Sequence, residues 1–424
     1  NKLYRQNFGI THNGIWDWGQ SKLTFQYDGT RNSRLDEGLT GRTEGSIKDG
    51  AGFITRQLRN YRVNGEINFP VYWLREQTIT LGAGWNRSEL EAPNSALQTL
   101  ISGDAVSGAA ANGSHVKSHS DLSGLYFEDN IQATETTQVI PGLRMDYDNR
   151  FGSNFSPSLN LSQALGEYFT LKAGIARAFK APNLYQSSPD YLLYSRGNGC
   201  PLTVGYEPCY LAGNDDLKPE VSVNKEIGLE FNHQGWAAGI TWFRNDYKDK
   251  IIAGNDFLGA TNSGTAILRW ENTGKAVVEG LEANVTVPVS DALNFNTNAT
   301  YMITSEDKTT GNPLSIIPKY TINSTLDWKI RQDLSANVSY TFYGPQKPRK
   351  YAVNHTELNN GLDQTRVGSY GLVGLNLQYQ MTKNLDLKTG ISNLFDKEIK
   401  RRAEGASTYN EPGRAYYFGA TVSF

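Results

Sequence analysis

The chain closes on EPGRAYYFGATVSF, residues 411–424, and this stretch reads with period two. Phe424, Val422, Ala420, Phe418 and Tyr416 share one register, while Ser423, Thr421, Gly419 and Tyr417 share the other. Successive side chains of a strand point to opposite faces, so this is a strand with one apolar face and one small or polar face. The pattern recurs. Residues 22–30 set Leu23, Phe25 and Tyr27 on one face, and 77–86 set Ile79, Leu81, Ala83 and Trp85 against Thr78, Thr80, Gly82 and Gly84. Segments 137–148, 169–179, 223–232, 236–247, 293–303, 320–330, 334–344, 369–380 and 385–395 behave likewise.

The connectors alternate in length. Those at 232–235, 290–292, 331–333 and 381–384 are tight, while 32–55, 89–120, 181–221, 345–366 and 396–409 are long, polar and rich in Gly, Ser and Asn. Strands of roughly ten residues, with tight turns at one end and long loops at the other, are the pattern of a transmembrane antiparallel β-barrel. The fold class is therefore all-β. In lipid every backbone group must find a partner, so the sheet must close, with the apolar register toward lipid and the polar register toward the lumen. This explains how a chain with a mean hydropathy of -0.51 and no apolar run near the roughly 18 residues of a spanning helix can live in a membrane. The 23 tyrosines and 8 tryptophans suit strands and wet–apolar interfaces. A formal charge of -2 with no basic tail gives no reason to expect nucleic acid.

About 17 strands are counted. The first, read over 3–12 before a turn in HNGIWDWG, and the last, after a long loop, both run inward. An odd antiparallel set cannot close alone, so strands are expected on the N-terminal side. The opening NKLYRQNFGITHNG already alternates, which fits either a removed leader or a start partway through a longer protein.

Cys200 and Cys209 lie in one Gly/Pro-rich loop, and a loop-stapling disulfide in an oxidising compartment is expected. A metal site would need more ligands near them. His115 and His119 are spaced i, i+4, but they lie in a Gly/Ser/Ala-rich loop rather than on a helix, which argues against a metal there. MDYDN, 145–149, reads as a solvated loop edge, with a cation-bridged lipopolysaccharide contact as the alternative. No G-x-S-x-G, P-loop or Rossmann fingerprint occurs. A barrel protease or lipase would need a rim histidine with an acidic partner, whereas His12 and His233 sit at the tight-turn end. An enzyme is not expected.

Several stretches together resemble the TonB-dependent outer-membrane receptors: ARAFKAPNLYQ (176–186), GNDDLKPEVSVNKEIGLEF (213–231), ITWFRNDYKDKI (240–251), VEGLEANV (278–285), NLFDK (393–397) and PGRAYYFGATVSF (412–424). TRNSRLDEGLTGRTEG (30–45), LLYSRGNGC (192–200), KAVVEGLE (275–282), LSIIPKYTINSTL (314–326) and STYNEPGR (407–414) are similar to the ferric-enterobactin branch of that family; loop 396–409 is shorter than in that branch. The resemblance implies a 22-stranded barrel around an N-terminal plug. Residues 1–424 would then be the C-terminal part of the barrel domain, with the plug outside this chain. It implies energy-coupled uptake of a ferric catecholate siderophore such as ferric enterobactin, or of another siderophore type. It further implies TonB as partner through the N-terminal region, contact with outer-membrane lipid and lipopolysaccharide, and use by colicins or phage. The resemblance implies no cofactor, with iron carried only as the ferric siderophore.

A ferric tricatecholate is a trianion whose iron is already fully coordinated. The receptor needs cations and flat aromatic surfaces rather than metal ligands. The expected ligand-binding residues are Arg31, Arg34, Arg56, Arg59, Tyr61, Arg62, Tyr191, Tyr194, Arg196, Tyr206, Tyr210, Lys347, Arg349 and Tyr351. Arg31 and Arg34 also carry over from the segment resembling RNSR in the branch. Val63, Gly65, Ile67 and Phe69 form the lipid register, so Asn60, Arg62, Asn64 and Glu66 are expected to face the lumen.

Overall fold

A computed structural model describes residues 2–35, 53–92, 116–188, 192–195, 209–261, 264–309, 311–350, 363–400 and 405–423. The strands are β1 (Lys2–Trp16), β2 (Gly19–Leu35), β3 (Phe53–Trp73), β4 (Arg75–Ala92), β5 (Val116–Thr134), β6 (Thr137–Asp148), β7 (Gly152–Leu165), β8 (Phe169–Lys180), β9 (Leu192–Ser195) and β10 (Cys209–Ala212). They continue with β11 (Glu220–His233), β12 (Trp236–Ala260), β13 (Ala266–Ser290), β14 (Leu293–Asp307), β15 (Tyr320–Lys329), β16 (Leu334–Tyr343), β17 (Tyr370–Thr382), β18 (Leu385–Ser392) and β19 (Ala415–Val422).

Seventeen of these nineteen form one antiparallel ladder, β1 to β8 followed by β11 to β19, each paired with the next. The count matches the sequence expectation. Among the described residues β1 and β19 do not pair with one another. The other two strands, β9 and β10, make a small hairpin at the long-loop end, and β10 also runs parallel to the start of β13.

Register makes the two faces explicit. Leu23, Gly65, Ala83, Leu125, Met145 and Phe155 lie in one row across β2 to β7. The adjacent row is Lys22, Glu66, Gly82, Tyr126, Arg144 and Ser156. The first is the lipid face and the second the lumen face. Leu125 is 63% exposed and Phe418 73%, as lipid-facing side chains must be. In the lumen row Tyr126 donates to Glu66 Oε2 at 2.6 Å, reaching across Gly82. A Cβ at Gly82 would lie 2.0 Å from the Tyr126 ring, so that lumen contact requires glycine.

Three features differ from the sequence reading. β1 runs to Trp16, and its turn shrinks to Asp17 and Trp18 ahead of Gly19, whose φ is 149°. A side chain at Gly19 would strike the Asn68 carbonyl, which lets β2 start immediately. The strands also run into connectors read as loops: β2 reaches Leu35, and β12 and β13 are 25 residues each. Beyond lipid the apolar alternation is no longer imposed, so their outer halves carry Gly, Asn and Thr and bulge near Lys250 and Phe257. Finally, Asp146 and Asp148 of MDYDN are buried, each 1% exposed, rather than solvated. Both belong to the lumen register, where Arg144 and Arg150 pair with them.

Candidate ligand-binding mouth

The lumen parity of Arg62 continues through Asn60 and Leu58 to Arg56, because the β2–β3 pairing holds one unbroken register. Arg34 lies in the matching register of β2, two steps beyond Asn32, which pairs with Arg56. Arg34, Arg56 and Arg62 therefore share the lumen face at the long-loop end. Arg34 and Arg62 are exposed and make no ion pair among the described residues. Neighbouring lumen cations are already committed. Arg144 grips Asp146 at 2.6 Å, Arg150 lies 3.5 Å from Asp148, and Arg5 lies 3.9 Å from Asp28.

The same register places Arg31, Arg59 and Tyr61 on the opposite, outward face. Arg59 and Tyr61 alternate with Asn60 and Arg62, and Arg31 pairs with Gln57. The arginine-rich set read as one group thus divides into a lumen half and an outer half. The cause is the two-residue period alone.

A second wall of the mouth comes from β16 and β17. Tyr343 and Tyr370 are cross-strand partners on the lumen register, with ring centroids 4.9 Å apart. Tyr370 and Tyr409 share a hydroxyl–hydroxyl hydrogen bond of 2.5 Å, and Gln346 Nε2 donates to the Tyr409 hydroxyl at 2.8 Å. Burial pushes the Glu411 carboxyl above its usual pKa. Burial likewise pulls the Arg349 guanidinium down, with Asp307 opposing. Arg349 is thus a half-buried cation facing Asp307, and Lys347 is exposed nearby in sequence. The sequence reading missed Gln346, Tyr370 and Tyr409. For Tyr370 a signal existed, since it directly precedes the alternating run of β17. Tyr409 lies in an irregular loop and offered none.

Tyr210 is fully buried in β10, while its neighbours Cys209 and Leu211 pack with Ala253, Ala266 and Leu268. Its side chain is not exposed in this structure. Tyr194 pairs with Tyr210 through the backbone. Tyr191, Arg196, Cys200, Tyr206 and Tyr351 lie outside the described residues. Cys209 is disulfide-bonded and fully buried, and its expected partner is Cys200.

Residues 1–394 match the family described as TonB dependent receptor-like, beta-barrel. The chain belongs to this family. As a TonB-dependent receptor barrel it is an outer-membrane β-barrel in a family of receptors. It is 52% identical, over its whole length, to the ferric enterobactin receptor PirA of Pseudomonas aeruginosa, and 46% identical to the ferrienterobactin receptor of Escherichia coli K12. It spans 58% of the first relative's length and 59% of the second's. The fold overlays a Pseudomonas aeruginosa ferric enterobactin receptor variant in complex with enterobactin, with a TM-score of 0.90 at 47% identity. That match covers all of this chain and 62% of the solved one. The siderophore receptor PirA of Acinetobacter baumannii matches with a TM-score of 0.88 at 43% identity, over all of this chain and 62% of the solved one.

Proposed function

We propose that this chain forms part of the wall of a receptor that takes up a ferric catecholate siderophore, ferric enterobactin or a close analogue, with energy supplied through TonB. The observation that carries the proposal is the cationic lumen face of β2 and β3, formed by Arg34 and Arg62, which make no ion pair among the described residues. A trianion entering there meets guanidinium groups that no carboxylate among the described residues already occupies. The tyrosines of β16, β17 and the 405–414 loop supply stacking and hydroxyl donors. The relatives' names agree with this ligand class. In this reading residues 1–424 are the C-terminal part of the barrel domain, iron remains inside its chelator, and the protein binds and passes cargo without catalysing a reaction.

The test is radio-iron uptake in cells that express the receptor carrying this chain, with a panel of ferric siderophores. Ferric catecholates should be taken up in a TonB-dependent way and neutral hydroxamate chelates should not. Uptake of the neutral chelates alone would overturn the ligand class.

A further inference from the structure

We infer that Asn272 of β13 is a positioning residue for cargo capture: its side-chain amide holds the returning limb of the 181–219 loop against the long β12–β13 hairpin. The cargo role presupposes the uptake function proposed above, whereas the anchoring does not.

The returning limb, 213–219, joins β10 to β11, and Pro219 has no N–H to give to a ladder. Lys218, just ahead of it, finds both its backbone partners in one side chain. Asn272 Oδ1 accepts from the Lys218 N–H at 2.7 Å, and Asn272 Nδ2 donates to the Lys218 carbonyl at 2.8 Å. The other Nδ2 hydrogen goes to the Asp249 carbonyl, also at 2.8 Å. Both amide hydrogens are used, and these partners fix which end of the amide is oxygen.

The Asp249 carbonyl is on offer because β12 bulges. Tyr247 pairs with Ala276 and Lys250 with Gly274, so β12 carries one extra residue there, and Asp249 has a φ of 55°. Just past the bulge, Ile251 stands opposite Asn272, and its N–H donates to Glu220 Oε1 at 2.8 Å. Asn272 and Glu220 therefore both couple the limb to the bulge, one from β13 and one from the start of β11.

The rest of the limb is fixed in the same manner. Buried Asn214 donates from Nδ2 to the Trp270 carbonyl at 2.8 Å and accepts from the Asp216 N–H at 3.0 Å. Its own N–H donates to the Gln186 carbonyl of the outgoing limb at 2.7 Å. A Cβ at Gly213 would lie 1.8 Å from the Ser188 carbonyl, so the two limbs meet backbone to backbone. Arg150, from the β6–β7 turn, donates to Ser187 Oγ and to the Pro182 carbonyl. Tyr191, Tyr194, Arg196 and Tyr206, all expected ligand contacts, lie in sequence between these limbs. A segment pinned at its ends starts from fixed points, so loosening Asn272 shifts the base from which those residues reach cargo. The wall does not depend on this amide: the ladder from the Ala237–Thr286 pair to the Tyr247–Ala276 pair is made by backbone alone.

The test uses the full-length receptor carrying this chain, purified in detergent, with a nitroxide attached through Asp215→Cys on the exposed part of the limb. The label should be immobilised in the native background and freed by Asn272→Ala. In cells, Asn272→Ala should raise the half-saturating concentration of ferric enterobactin about tenfold and leave the maximal uptake rate and heat-modifiability as they were. Asn272→Asp keeps an acceptor for the Lys218 N–H but turns a carboxylate toward two carbonyls. That raises its pKa, so the limb should be free at about pH 8 and should be held again near pH 5, where a protonated carboxyl donates once. Asn384→Ala removes an amide that holds the Ser423 carbonyl at the tight-turn end, and should change neither the label nor the half-saturation. An immobile label in Asn272→Ala would refute the anchor. A freed label with unchanged half-saturation would refute its part in capture. A native receptor that ignores ferric enterobactin, while its label responds as described, would overturn the ligand reading and leave the anchor standing.

Discussion

Arg34→Gln/Arg62→Gln tests the lumen mouth most directly, because both side chains are exposed and neither has an acidic partner among the described residues. Their charge is available to a ligand, and removing it leaves no orphaned carboxylate behind. At about 6 Å in water-like dielectric, one unit charge attracts one opposite charge by about 0.7 kcal/mol, and a trianion by about 2 kcal/mol. Physiological salt, with a screening length of about 8 Å, roughly halves this to about 1 kcal/mol per arginine. The double variant should therefore lose about 2 kcal/mol, or about thirtyfold in affinity for a ferric tricatecholate. In low-salt buffer the loss should grow toward a thousandfold. The matched pair Arg31→Gln/Arg59→Gln removes the same charge from the outward face and should change affinity severalfold at most. Equilibrium binding to the purified full-length receptor, by intrinsic tryptophan quenching at two ionic strengths, measures both. Equal losses in the two double variants would refute the division of the arginines by face, and no loss in either would remove both sets from ligand capture.

Other outcomes follow from the same coordinates. Asp148→Ala strips Arg150 of a fully buried carboxylate that also accepts from Ser120 Oγ and the Arg150 amide, and should destabilise the outer end of β6 by about 3 kcal/mol in a urea titration. Glu411 has a raised folded-state pKa, so its charged form costs stability above the usual value of 4.5, and that cost disappears as pH falls below it. Glu411→Gln should therefore raise the thermal midpoint slightly at pH 7 and leave it unchanged at pH 4. Cysteines at Asp215 and Asp291 occupy opposite ends of the ladder; whole-cell labelling with an impermeant maleimide should reach the first and not the second, and the reverse would invert the orientation.

The wall was legible because lipid enforces a strict choice at every second residue. Val63, Gly65, Ile67 and Phe69 declared the outward register of β3, and the structure keeps it without a slip as far as Phe53. The same parity already separates Arg59 from Arg62 on β3. Placing Arg31 beside Gln57 needed the cross-strand register, which no single strand contains. What escaped lies beyond lipid. The outer halves of β12 and β13, the parallel seat of β10 on β13, and the burial of Asp146 and Asp148 depend on tertiary packing of polar residues, which leaves no periodic trace. The Tyr370–Tyr409 hydroxyl bond joins residues 39 apart, one of them in an irregular loop.

The length of β12 and β13 has a consequence for how the receptor meets its surroundings. Each strand has 25 residues, and a tilted crossing of the hydrocarbon consumes only about ten. About fifteen residues remain, close to 50 Å of strand, which a tilt of about 45° turns into some 35 Å of height. The hairpin stands as a mast above the bilayer, braced near its tip, where Leu268 packs with Cys209 and Leu211 of β10. A bulky visitor such as an antibody or a phage tip would meet the mast well before it reached the mouth. A compact chelate could pass beside it. Shortening the hairpin should therefore alter access for large particles far more than for small cargo.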